Sequence, residues 1–169
     1  LVKGGEYLSK RNFTDENKFE FLEWFIGDDD LCKALINKEK NFLDISITQE
    51  QKDSLIFNQI FPYKFIPDIT ISANGYLFFT FNYEYSRTNQ LFLISDINVW
   101  CFCHRDLIRT QYKYLRYDFM KQRVSEMLQD KTDNNWFWKM KLYSSREMSI
   151  DESATYYGVQ LNFRNEILK

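Results

Sequence analysis

The chain has 169 residues, 24 of them acidic and 22 basic, for a net charge of −2. That length matches one domain, which can bury roughly 70% of its unfolded surface without disulfides or a structural metal. An apolar fraction of 44% excludes disorder, and near-neutral charge excludes a polybasic coat on nucleic acid.

No uncharged apolar window of about 18 residues exists, so no membrane span and no membrane partner are expected. The start, Leu1 to Glu6, has no apolar signal region. Three cysteines, an odd number, point to reduced thiols and a cytoplasmic setting. The single His104 excludes two-histidine acid/base pairs and multi-histidine metal sites. Usage rich in Lys, Asn, Ile, Phe and Tyr suits A/T-heavy codons, as in an AT-rich bacterium, its phages or its plasmids. Lys3-Gly4-Gly5-Glu6 back-translates to a purine-rich ribosome-binding sequence, with Leu8 placed as a TTG start. Residues 1–7 are therefore expected to be translated leader, in a single domain spanning 1–169.

The first expected helix runs from Asp15 to Ile26, capped by Thr14 and closed by Gly27, with Phe21, Leu22 and Phe25 on one face. Asp28-Asp29-Asp30 opens a second helix over 29–37. Capping and dipole roles explain the three carboxylates better than a calcium loop, which needs ligands at alternate positions and a distal glutamate. Phe42 to Ile47 alternates like a short strand. Thr48 to Gln51 forms a capping box that opens a third helix, expected to end near Phe61.

Ile69–Ala73 and Tyr76–Tyr85 flank Asn74-Gly75, which predicts a hairpin with a type I′ turn. Leu77, Phe79, Phe81, Tyr83 and Tyr85 share one side of its second strand. A third strand, Leu91–Cys103, completes a meander after the loop Ser86–Asn89. Residues 105–130 read mostly as helix, but the apolar stripe slips by about a third of a turn. Either the helix bends near Asp118 or its first part is irregular. After a turn at Asp133–Asn135, strands over Trp136–Tyr143 and Tyr156–Phe163 close the chain around a polar loop. The expected fold class is α+β: N-terminal helices packed on an antiparallel sheet of about five strands, meander plus C-terminal hairpin, with one further helix between.

Cys101-Phe102-Cys103-His104 invites a metal reading, but in a strand the cysteines face one side and the histidine the other. No metal and no cofactor is expected. His104 beside Asp96 or Asp106 would be a legitimate acid/base pair. No oxyanion loop, phosphate loop or nucleophile elbow accompanies it. Pro67-Asp68 with Glu84 lacks the lysine that a metal-dependent nuclease would place two residues on, where Ser86 stands.

The strongest surface signal is the tyrosine-laced stretch 104–123, six basic residues against two acidic. On a helix, Arg105, Arg109, Lys113 and Arg116 would share a face, interleaved with Tyr112, Tyr114 and Tyr117. Such a face suits an acidic protein surface and phosphate contact alike. Residues 14–53 carry eleven acidic against five basic residues, so self-association, acidic end to basic face, is one consequence. The expectation is a non-catalytic interaction protein, a phage- or mobile-element-encoded regulator or inhibitor, binding a protein partner through Arg105, Arg109, Tyr112, Lys113 and Arg116. The alternatives are a nucleic-acid-binding accessory protein of replication or transcription, and a small enzyme using His104.

Overall fold

The computed structural model describes residues 15–67, 73–85, 93–130, 140–150, 152–153 and 155–165. Among them, helices α1 (Asp15–Gly27), α2 (Asp29–Ile36), α3 (Gln49–Asp53) and α4 (Arg116–Asp130) cover a mixed, mostly antiparallel five-stranded sheet. Its strands are β1 (Ile60–Phe61), β2 (Gly75–Tyr85), β3 (Leu93–His104), β4 (Met140–Ser149) and β5 (Tyr156–Asn165), in the order β1-β2-β3-β5-β4. No helix among the described residues is long and apolar enough to cross a membrane.

The expected α+β class holds. Thr14 lies outside the described residues. Gly27 still belongs to α1, and Asp28, in extended backbone, separates it from α2. Asp28 caps α2 by accepting the Leu31 N–H at 2.7 Å. Phe21 and Phe25 both meet Phe79 in tilted pairs, at 5.8 and 5.5 Å between ring centroids. From α4, Met120, Val124 and Leu128 enter the same core, the stripe expected of its second half. Leu77, Val99, Leu161 and Phe163 supply the sheet side, where strand alternation puts every second residue.

Four local expectations are corrected. Phe42–Asp44 is a turn of 3-10 helix, not a strand, because Phe42 is drawn into the core and Asn37 Nδ2 donates to the Phe42 carbonyl at 2.9 Å. The capping box at Thr48 and Gln51 forms as expected, yet α3 stops at Asp53. Beyond it the Leu55 carbonyl accepts the N–H groups of Asn58, Gln59 and Ile60, at 3.1, 2.8 and 2.9 Å. That turn forces Phe57 to φ 60°, and helix cannot propagate through it. Phe57 is 48% exposed and repays little of this strain by packing. Phe57→Asn is therefore expected to raise stability by about 0.5–1 kcal/mol, seen as a higher urea midpoint at unchanged slope.

The third correction is at Asn74-Gly75. Neither residue has positive φ, so the type I′ turn does not form. Gly75 begins β2, where a Cβ would sit 3.3 Å from Leu35 Cδ2, and Asn74 accepts the His104 N–H through its carbonyl. Residues 69–72 lie outside the described residues. The strand beside β2 is β1, parallel, with Ile60 opposite Leu77. The fourth is β4, which continues through the predicted polar loop to Ser149. Residues 131–139, and with them Trp136, lie outside the described residues. This edge strand carries Lys141, Arg146 and Glu147 and a bulge between Leu142 and Ser144, devices that discourage strand addition.

All three cysteines are buried and unpaired. Burial pushes the Cys32 and Cys103 thiols up to about 12 and raises that of Cys101 as well. A disulfide-exchange reagent at pH 8 is expected to leave the folded protein unmodified and to titrate three thiols only after denaturation.

Candidate functional site

The basic stretch does not fold as one helix. Arg105–Leu107 makes a short 3-10 turn, capped by His104, whose Nδ1 accepts the Asp106 N–H at 3.3 Å. The chain then forms a loop closed by a bridge between Arg109 and Leu115. Thr110 explains the break with helix: its hydroxyl donates to the Tyr114 carbonyl at 2.6 Å and accepts the Tyr112 N–H at 3.2 Å, offering the backbone a competing set of bonds. Regular helix begins only at Arg116, so the irregular first part is the alternative that the structure realises.

This loop is seated on residues 40–44. The Gln111 N–H donates to the Lys40 carbonyl at 3.1 Å, Gln111 Nε2 to Asp44 at 2.8 Å, and the Leu43 N–H to the Tyr112 hydroxyl at 3.2 Å. Beneath it the rings of Tyr112, Tyr114 and Phe119 stack in sequence, at 5.7 and 5.3 Å, with Phe42 edge-on to Tyr112. Outward, the loop presents Arg109, Lys113 and a partly exposed Tyr114, and the segment beneath it adds exposed Lys38 and Lys40.

Arg116 is not on this surface. It is 0% exposed, and the helical face expected to carry it is absent. Its guanidinium donates to the carbonyls of Leu107 (2.9 Å), Ala34 (3.0 Å), Glu39 (2.6 Å), Lys38 (3.4 Å) and Asn37. A cation at the N-terminus of α4 opposes that helix's dipole, but here it lies at the C-terminal end of α2, where unsatisfied carbonyls hold negative potential. Phe42 stacks against it at 4.5 Å. Burial lowers its pKa, and nearby Cys103 and Glu39 oppose that shift. Arg116 is thus the post on which the loop stands.

Of the other site residues, Arg109, Tyr112 and Lys113 share the loop, with Tyr112 half-buried as its internal brace. Arg105 is 64% exposed on its side chain, at the start of the 3-10 turn, where its N–H donates to the Thr155 carbonyl at 2.8 Å. Arg123 is spent internally on Asp28, at 3.3 Å through Nε, and on Glu126 at 2.8 Å. Lys38 and Lys40 escaped sequence reasoning, because no pattern links the polar turn 37–41 to residues some seventy positions on.

The acidic triplet is likewise matched within the chain. Asp28 pairs with Arg123, Asp29 with Lys52, and Asp30 with Lys33 at 3.8 Å. No group of three or more metal-binding side chains occurs among the described residues. His104 Nδ1 lies 3.3 Å from Asp106, whereas Asp96 is engaged by Arg164 at 2.8 and 3.0 Å. A shallow groove along α4, lined by Asp118, Lys121, Gln122, Ser125, Glu126 and Gln129, does not include His104. In that groove, burial first and Glu147 second raise the Asp118 pKa.

A protein-family model, YomW, matches residues 28–165. The chain belongs to the YomW family. The matched span takes in α2, the 40–44 seat, the whole 109–115 loop and every strand of the sheet. No curated protein and no solved structure matches the chain. YomW membership is compatible with a phage-encoded protein and carries no statement about partner or mechanism.

Proposed function

We propose that this YomW-family chain is a non-catalytic interaction protein of the cytoplasm that docks onto a protein partner, acting as a phage- or mobile-element-encoded regulator or inhibitor. One observation carries this reading: the 109–115 loop is held rigid by hydrogen bonds and a ring stack while its cations point outward. Pre-ordering of this kind removes much of the entropic cost of docking. Arg109 and Lys113, with Lys38 and Lys40, steer and pair with an acidic surface, and Tyr114 offers an amphipathic anchor. Arg105 contributes at the margin. Tyr112 and Arg116 act beneath the surface as positioning residues.

Affinity capture from host lysate, with and without nuclease, tests this. A protein retained after nuclease treatment, and lost with the double variant Arg109→Glu/Lys113→Glu, is the expected result. Capture that disappears with nuclease and weakens steeply with salt would instead give the loop to nucleic acid. Capture indifferent to the double variant would remove the loop from the interface.

A further inference from the structure

We infer that the 109–115 loop docks onto a second copy of this chain, its cations over the carboxylates that flank the start of α2, in a dimer closed by a two-fold axis. This deepens the docking reading and rests on the same loop, which the second copy covers until a partner displaces it.

Two oppositely charged surfaces sit at the two ends of α2. At its C-terminal end Arg116 donates to the Ala34 and Asn37 carbonyls and fixes the loop that precedes it. Exposed there are Arg109, Lys113, Lys38 and Lys40, against Glu39 and Asp44, a net +2. At the N-terminal end Lys52 pairs with Asp29 and brings α3 alongside. Asp29, Asp30, Glu50 and Asp53 there stand against Lys33 and Lys52, a net −2. Pairing within the chain leaves the Asp29 and Asp30 side chains 65% and 47% exposed, so both carboxylates still face solvent. Exposed ion pairs of this kind hold little energy and exchange partners readily.

α2 has eight residues, so about 12 Å separates its ends. Contacts run unbroken between them. Asp30 pairs with Lys33 at 3.8 Å, the Lys33 ammonium donates to the Leu43 carbonyl at 3.1 Å, and the Leu43 N–H donates to the Tyr112 hydroxyl. Tyr114 belongs to the middle of this strip. Its ring is 36% exposed, and burial first, then Tyr112 and Asp30, raise its pKa. An amphipathic ring is therefore framed by opposite charges, the layout of an interface centre and its rim.

A strip with opposite charge at its two ends is its own complement. A two-fold axis through its middle lays each positive end over a negative one, and every contact occurs twice. The chain's net charge of −2 leaves little overall repulsion to overcome. The acidic surface that the loop fits is thus present on the chain itself.

Sedimentation equilibrium of the purified full chain tests the proposal. At about 0.01 M salt, where the Debye length is about 30 Å, the mass should rise with concentration from one chain toward two; at about 1 M, where it is about 3 Å, it should return to one. Arg109→Glu/Lys113→Glu and Glu50→Lys/Asp53→Lys should each stay monomeric, with the circular dichroism of the wild type. Mixed, these two variants should form a one-to-one dimer and go no further, because each now matches the other at both ends. Labelled Arg109→Glu/Lys113→Glu should sediment as a single chain beside Glu147→Lys/Glu152→Lys, which reverses two exposed carboxylates away from α2. A wild type that is monomeric at every concentration, a dimer that survives both reversals, a mixture that does not associate, or capture by the Glu147/Glu152 variant would each overturn the proposal. None of these results touches capture from lysate, which decides the docking reading separately.

Discussion

Replacing Arg116 by methionine is expected to cost about 3–5 kcal/mol, a large share of the stability of an ordinary domain. Methionine fills much of the volume, so the loss is not chiefly one of packing. Five carbonyls, those of Leu107, Ala34, Asn37, Lys38 and Glu39, lose a donor in a place where water is largely excluded. Arg116→Lys keeps the charge but brings three donors from one point, without the planar fork that reaches both α2 and Leu107. It should fall between wild type and Arg116→Met. Urea unfolding followed by circular dichroism measures both, and a loss under about 1 kcal/mol for methionine would contradict the role assigned to this side chain.

Gly158→Ala should be comparably damaging, about 3 kcal/mol or more, through crowding instead of loss. Gly158 lies between Phe102 on β3 and Met148 on β4. A Cβ there would stand 1.9 Å from the Cys101 carbonyl oxygen and 2.7 Å from Phe102 Cδ1. The second clash can be relieved by rotating a ring, but the first is with backbone and requires β3 and β5 to separate. Phe102→Leu should therefore fail to rescue Gly158→Ala. Full rescue in the double variant would show that the ring alone sets the constraint. Thermal unfolding of the two single variants and the double variant closes that cycle.

The same contrast between local and distant causes explains what the sequence disclosed. The Thr48–Gln51 capping box, the Asp28 cap and the Met120–Val124–Leu128 stripe are fixed by neighbours within one or two turns, and each is legible. So is the alternation of β3 and β5, strands with partners on both sides. β1 is only two residues long, too short for any period, and its parallel pairing with β2 at Leu77 and Phe78 had no signal in the sequence. β4 showed no alternation because most of its residues are exposed on both faces at the sheet edge.

The candidate site was half legible. The cations and tyrosines of 105–117 stood out by composition, and Arg109, Tyr112 and Lys113 do share one loop. Helical spacing then grouped Arg116 with them, whereas the carbonyls at the end of α2 claimed it for the interior. Nothing within a few residues of position 116 signals that claim, since Ala34 and Asn37 are about eighty positions away.

The Asp28–Arg123 pair and the Arg116 carbonyl cluster both join α2 to α4, one near each end of α2. A helix pinned at two points cannot roll against its neighbour without stranding an ion in a poorly hydrated seam. Thermal breathing of the seam is therefore all-or-none, and slow amide exchange in α2 and the first turn of α4 would report the opening of the whole helical layer instead of fraying at either tip.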